Sequence, residues 1–420
     1  MKKNIEFVAA NGLLDRRSFL KGGAITFGSG SLGLLTASPS SATDWPNWMT
    51  KPGTGLSEYS HRSSYESHIL RKTAPLLGTD GSGSSRTPIQ YLQGTITPNN
   101  LHFERHHSGI PEIDPEQHKL LIHGLVKKPL IFDMEQLHRY PMISKIQFLE
   151  CSGNSRPNLS KIPPKGSCGD IHGMIACSEW TGIPLNILLD EAGLEKDAKW
   201  VLAEGADAAS LTRSVPLEKA MDDAILALYQ NGEKIYPANG YPIRLFLPGY
   251  EGNISVKWLR QLKVTQKPMM TREETSKYTD LMPNGKSLMF TFKMGIKSVI
   301  TSPSPSLKLG PLGYYEISGI AWSSNGKVKS VEVSADGGSS WAEAELSEPI
   351  LSKSLTRFRI PWKRDGSPSI IMSRAIDENG EVQPSRNQLI SEKGSQVSYH
   401  NNSIQAWYIS SDGEVENVYV

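Results

Sequence analysis

From about Lys286 to the C-terminus the chain shows no helical periodicity, and strand-like runs recur between turn signals. The runs are Tyr314 to Trp322, Val328 to Val333, Thr356 to Trp362 and Ile370 to Ile376; the turns are Asn325-Gly326, Asp336-Gly337-Gly338 and Asn379-Gly380. Short strands at this spacing bury one face each and must pair into two stacked sheets, so residues 285–420 are expected to form an immunoglobulin-like β-sandwich. The Cys-Trp-Cys core of true immunoglobulin domains is missing, and only the architecture follows.

The preceding half has a different texture. His118 to Val126 is strand-like, Asp133 caps a helix running to Tyr140, and Lys145 to Glu150 alternates as a strand. Pro184 opens a helix carrying Leu185, Ile187, Leu188, Leu189 and Ala192, which Gly193 stops. Ile225 to Gln230 and the strand after Asn231-Gly232 form a hairpin. Residues 91–270 therefore make a mixed α+β domain, and the whole chain is α+β. Residues 43–90, rich in Gly, Ser, Thr and Pro, read as an extended arm over the surface.

Residues 1–42 read as a targeting segment. Arg16 and Arg17 stand in Asp15-Arg16-Arg17-Ser18-Phe19-Leu20-Lys21, a mild Gly/Ser/Ala/Leu stretch follows, and Pro39 to Ala42 form a cleavage region. This is a twin-arginine signal peptide, which predicts export to the periplasm and no structural role. Gly28-Ser29-Gly30-Ser31-Leu32-Gly33 satisfies G-x-G-x-x-G, yet no strand precedes it and no acidic residue lies about 20 positions on, so it is no dinucleotide site.

At 420 residues, with 38% hydrophobic and 21% charged residues, the composition is globular and long enough for two domains. A formal net charge of +2 argues against a nucleic-acid partner, and no apolar run beyond the leader is long enough for a membrane span. The 3 cysteines are Cys151, Cys168 and Cys177. In an oxidising compartment one must stay unpaired; Cys168 and Cys177 form either a short-loop disulfide or two separate thiols.

Cys151 carries the chemistry. In Phe148-Leu149-Glu150-Cys151-Ser152-Gly153-Asn154-Ser155-Arg156 it stands where a strand runs into a small-residue loop. A thiolate there is a soft metal ligand or a nucleophile, with Arg156 favouring negative charge, and an inert buried cysteine is the bland alternative. A nucleophile needs a histidine base, which this loop does not supply.

Further segments belong with it: His102-Phe103-Glu104-Arg105-His106-His107, Gly173 to Gly182, Gly240-Tyr241-Pro242-Ile243-Arg244, Ser255-Val256-Lys257-Trp258-Leu259, Tyr278, and Val333 to Trp341. In this order, from about Tyr91 onward, they resemble the sulfite oxidase family of molybdenum-cofactor enzymes. Pro268-Met269-Met270-Thr271, Thr275 to Asp280 and Tyr399-His400-Asn401-Asn402 are similar to the SoxC-type molybdenum subunits of sulfane dehydrogenases within that family.

The resemblance implies a molybdenum-molybdopterin cofactor and no haem in this chain. Cys151 would ligate the molybdenum. Arg105, Arg156 and Tyr278 would be the catalytic-pocket residues, two arginines suited to an oxyanion and a phenol beside the metal. His107, Asp207, Asn239, Arg244, Ser255, Val256 and Lys257 would bind the pterin, with Ser255 and Val256 offering backbone beside Lys257. A zinc cluster at His102, His106 and His107 is disfavoured, because neighbours on an extended segment point to opposite faces. The pocket arginine that relatives carry near the C-terminus is not recognisable; around His400 to Gln405 only polar residues stand, with His400 facing the site.

The resemblance further implies a periplasmic dehydrogenase that transfers oxygen to sulfur and passes electrons to a c-type cytochrome subunit. The sandwich would mediate a homodimer or a heterotetramer. Fewer pocket arginines suit a substrate borne by a sulfur-carrier protein better than a free dianion. The alternative is a sulfite dehydrogenase acting on free sulfite. A methionine sulfoxide reductase would lack the sandwich, and a non-catalytic envelope binding protein would hold no molybdenum.

Overall fold

The computed structural model describes residues 7–15 and 45–420. Arg16, Arg17, the Gly28 to Gly33 run and the cleavage region lie outside the described residues. The first unit rests on two five-stranded sheets. One runs Glu233–Lys234, Ile225–Gln230, Ile175–Pro184, Ile143–Glu150, with Arg244–Phe246 also paired to Ile225–Gln230 and every neighbour antiparallel. The other runs Leu130–Asp133, Lys119–Gly124, Leu259–Thr265, Trp200–Gly205, Thr212–Pro216, and only its Lys119–Gly124/Leu259–Thr265 pair is parallel.

Local chemistry sets these elements. The Asn231-Gly232 turn has φ of 51° and 82°, the left-handed pair a two-residue hairpin demands. The helix Leu185–Ala192 buries Leu185, Leu188, Leu189 and Ala192 on one face and stops at Gly193, φ 71°. Asp133 caps Met134–Leu137 with a full capping box, but the helix ends before Tyr140. Pro141 follows that tyrosine and pushes it out of helical geometry, which shortens the helix to about one turn.

Residues 72–86 of the arm do more than cover surface. Lys72–Pro75 and Gly83–Arg86 form a hairpin, and Gly83–Arg86 pairs with Arg105–His106, which fixes the segment bearing two of the predicted site residues.

The second unit is a sandwich of a four-stranded and a five-stranded sheet. The first runs Lys297–Ser302, Gly313–Trp322, Thr356–Arg364, Glu345–Leu346. The second runs Ala342–Glu343, Val328–Ser334, Ser369–Asp377, Ala406–Ile409, Val415–Val418. All pairs are antiparallel. One helix interrupts the β pattern, Arg386–Lys393, which apolar periodicity does not announce because Leu389 alone is buried. Its Ser385/Gln388 capping box and Gly394 are nonetheless visible in the sequence.

The strand leading to Cys151 is a wall between two cores. Successive side chains point to opposite faces. Phe148 therefore joins Trp322, Phe358, Trp362 and Trp407 in the sandwich core, while Leu149 joins Trp180 and Phe246. Cys168 and Cys177 are buried free thiols in the sandwich-side cluster, and no disulfide joins them. No helix among the described residues is long and apolar enough to cross a membrane. Residues 7–15 do take structure, although the leader pattern assigns them none: Leu13 and Leu14 are buried against the sandwich.

Candidate active site

Cys151 is the first residue past the Ile143–Glu150 strand. Its N–H donates to the Met174 carbonyl at 3.0 Å, and its own carbonyl accepts from Asn154 N–H at 2.8 Å, so the loop turns back at once. Behind it Glu150 is fully buried. It accepts from Lys297 Nζ at 3.3 Å, Asn154 Nδ2 at 2.9 Å and Trp322 Nε1 at 2.7 Å. Burial pushes the Cys151 thiol up to about 11, against the pull of the Gly153 backbone and Arg105.

Two cavities meet at this residue. The inner one, about 680 Å³, is lined by Arg105, His107, Asp207, Asn239, Arg244, Ser255 and Lys257 among others. The outer vestibule, about 2090 Å³, is lined by Arg105, Arg156, Arg272, Lys277, Tyr278 and Tyr399, with Leu76 and Leu77 at its edge. Cys151, Arg105, His107 and Tyr278 line both. The inner cavity is a polar-lined recess suited to a small molecule or cofactor, and the outer one opens to solvent in front of it.

The inner cavity is built for a polar anion. Arg244 is 3% exposed and, among the described residues, has no carboxylate partner. It donates to the Asn239 carbonyl at 2.9 Å and the Ser255 carbonyl at 2.8 Å, while its Nε has no partner among the described residues. Burial holds the guanidinium down to about 9, a penalty that an incoming negative charge would relieve. Lys257 Nζ reaches the Ala238 carbonyl at 3.0 Å, the Arg105 carbonyl at 3.2 Å and His106 Nδ1 at 2.7 Å. Burial and then Arg244 push it well below the usual lysine value. Asn253 Oδ1 and His102 Nε2 are also buried without partners, and both residues line the cavity. So many unsatisfied polar atoms in one closed space are costly unless a hydrogen-bonding ligand takes them.

At the junction, Tyr278 Oη and His107 Nε2 share a hydrogen bond of 3.1 Å. Burial, then Arg105 and Lys257, hold His107 down to about 3, so it is neutral near pH 7. Burial raises the Tyr278 phenol, which keeps its proton. Tyr278 has φ 50° and lies over the Arg213 guanidinium at 5.0 Å. Arg213 in turn is buried between Glu251 and Glu274, each at 3.0 Å. Asp207 accepts from Leu211 N–H at 3.1 Å and Ser108 Oγ at 3.3 Å at the cavity wall.

Most of the residues singled out in sequence converge here. Arg156 lines only the vestibule and is exposed, so it sits on the approach rather than in the inner cavity. Val256 lines neither cavity; its side chain is in the apolar core and its carbonyl accepts from Leu245 N–H. His400 does not face the cavities. It is buried, 3.2 Å from Glu251, and the neighbouring Tyr399 lines the vestibule in its place. A left-handed backbone at His400, φ 54°, turns the two side chains apart. The three histidines go separate ways: His102 bonds the Phe103 carbonyl, His106 lies between Glu104 and Lys257, and His107 meets Tyr278. Sequence reasoning missed Asn253, Arg272, Lys277 and Arg213. The first lies in the inner wall and the next two on the vestibule rim, where their nearness in sequence to Tyr278 was the available signal.

The family model "Oxidoreductase molybdopterin binding domain" matches residues 107–273, and "Mo-co oxidoreductase dimerisation domain" matches residues 289–406. The chain is 30% identical over 315 residues to sulfite oxidase of Gallus gallus, covering 69% of this chain and 68% of that protein. It is 29% identical over 345 residues to mitochondrial sulfite oxidase of Mus musculus, covering 76% of this chain but only 63% of that protein's length. Among solved structures, the sulfane dehydrogenase SoxCD from Paracoccus pantotrophus superposes with TM-score 0.88 at 44% identity, covering 90% of this chain and 98% of that one.

Proposed function

Because the chain belongs to the sulfite oxidase family of molybdenum-cofactor enzymes, in its SoxC-type branch, we propose that it is the sulfane dehydrogenase subunit of a thiosulfate-oxidising system. It would be exported to the periplasm by its twin-arginine leader, oxidise sulfur held by a carrier protein, and pass electrons to a c-type cytochrome subunit. The dimerisation-domain match supports a homodimer or a heterotetramer with that subunit.

The cofactor fits the inner cavity by the chemistry of its walls. Cys151 would hold the molybdenum. Arg244, with its unpartnered Nε, and Lys257 would take the anionic end of the pterin, and Asp207, Asn239, Ser255 and His107 its polar edges. When bound, this cofactor supplies an oxygen atom to sulfur and accepts two electrons. The chain's own residues prepare the approach. Arg105 at the junction and Arg156 on the rim draw an anionic group toward Cys151. Neutral His107 holds the protonated Tyr278 hydroxyl at the junction, where it can donate a hydrogen bond to a reacting oxygen.

One observation favours a carrier-bound substrate: the vestibule is broad and open to solvent, and it carries Leu77 fully exposed at its rim beside Arg156, Arg272 and Lys277. Free sulfite, a four-atom anion, needs neither the width nor the leucine. The test measures cytochrome reduction by the purified enzyme with its haem partner. Turnover is expected with sulfane sulfur on a carrier protein; efficient turnover of free sulfite and none of the carrier-bound form would reverse the assignment.

The cofactor assignment makes its own prediction. Arg244→Gln should keep the fold by circular dichroism yet lose cofactor, with affinity down by about 10–100-fold, the range for groups that support a metal site. Molybdenum and pterin analysis after gel filtration checks it; stoichiometric cofactor in the variant would remove Arg244 from the binding set.

A further inference from the structure

Residues 7–15 fold onto the β-sandwich, far in sequence and separate in contacts from the site above. Val8 N–H donates to the Leu13 carbonyl at 3.0 Å, and Phe7 bridges to Leu14 across an Asn11-Gly12 turn whose φ values are 54° and 87°. One side of this loop is fastened to the Thr356–Arg364 strand. Leu14 N–H donates to the Pro361 carbonyl at 3.0 Å, and Lys363 N–H to the Gly12 carbonyl at 2.8 Å. Trp362 Nε1 donates to the Asn11 carbonyl at 2.7 Å. The other side reaches the second sheet, with Asn11 Nδ2 on the Ala335 carbonyl at 2.9 Å and Ala10 N–H on Ser340 Oγ at 3.1 Å.

The apolar residues are seated as firmly. Leu13 is 0% and Leu14 1% exposed, and Leu13 belongs to the same core cluster as Trp362 and Val333. A Cβ on Gly12 would stand 2.2 Å from the Lys363 carbonyl oxygen, so only glycine fits there. Asn11, Gly12, Leu13 and Leu14 thus each meet a matching feature of the folded sandwich. A leader that is merely passed to an export apparatus has no need of such a fit. The two arginines of the leader follow directly in sequence, at positions 16 and 17.

We propose that residues 7–15 are a clasp by which the leader binds its own folded β-sandwich, and that a membrane receptor for the twin arginines competes with this clasp. The second clause rests on the export proposal above; the first does not. The clasp needs strand Thr356–Arg364 and the Ala335 turn in place together, so it closes only on a folded sandwich. While it is closed, the receptor's apparent affinity falls in proportion to the fraction of leader that is open.

The test uses the full chain with its leader, wild type and Gly12→Val, by hydrogen exchange and by pulse-chase export. In wild type the amides of Leu14 and Lys363 are expected to be protected; in Gly12→Val both lose protection while the Lys297–Ser302 strand keeps it, and the variant leaves the cytoplasm faster. Unprotected Leu14 and Lys363 in wild type would overturn the clasp. Protection lost without faster export would overturn the competition. A chain with Arg16 and Arg17 both changed to lysine that still reaches the periplasm would instead fault the export assignment, leaving the exchange result to judge the clasp alone.

Discussion

Turnover by a Cys151→Ser variant is expected to fall by more than about 100-fold, the upper end of what residues one step removed from a metal usually cost. Serine keeps the shape of cysteine, and the backbone bonds that shape the loop, Cys151 N–H to Met174 and Asn154 N–H to the Cys151 carbonyl, do not involve the side chain. What changes is the proposed ligand. A hydroxyl is a hard donor that stays protonated near neutral pH, whereas a soft, polarisable thiolate would suit molybdenum held among the sulfurs of its cofactor. Cofactor content and turnover measured on one preparation separate loss of binding from loss of chemistry. A variant with full cofactor and full activity would overturn the central assignment.

The second large effect is on stability. Lys297→Met is expected to destabilise the chain by about 3–5 kcal/mol, the usual cost of breaking a buried ion pair from one side. Lys297 comes from the first strand of the sandwich and is 1% exposed. Its Nζ donates to Glu150 Oε1 at 3.3 Å, Ser155 Oγ at 2.6 Å and the Asn401 carbonyl at 2.7 Å, spanning both ends of the Cys151 loop. Burial pulls the lysine below its usual value and Glu150 pulls it back, so the pair survives only as a pair. Methionine fills the volume but leaves the Glu150 carboxylate buried with Trp322 and Asn154 as its remaining donors. Chemical denaturation reads the loss, and Lys297→Met/Glu150→Gln should recover part of it, since the uncompensated charge is then gone. A single variant as stable as wild type would show that the pair contributes nothing to holding the loop.

The parts legible in sequence were those with local causes. The strand into Cys151 announced itself by alternation, the Asn231-Gly232 hairpin by its left-handed pair, and the sandwich by its regular turns. Arg244 and Lys257 were reached through a family resemblance, and their unpaired or crowded environment gives the physical reason for them. Arg213 was not legible, because nothing in its own strand distinguishes it. Glu251 from one other segment, and Glu274 and Tyr278 from a second, make it the support under the junction phenol. His400 failed for a related reason: a single left-handed residue decides whether 399 or 400 looks into the vestibule, and no composition signal reports a φ of 54° on a histidine. The Arg386–Lys393 helix escaped because its faces are nearly all polar, and its cap spoke more clearly than its periodicity.

The Ile143–Glu150 strand gives Phe148 to one core and Leu149 to the other, and its last residue is tied across the boundary to Lys297 and Trp322. This sandwich is therefore not a bead on a string that could be cut off or exchanged without disturbing the strand behind Cys151. Any replacement would have to bring its own back wall for the Cys151 loop.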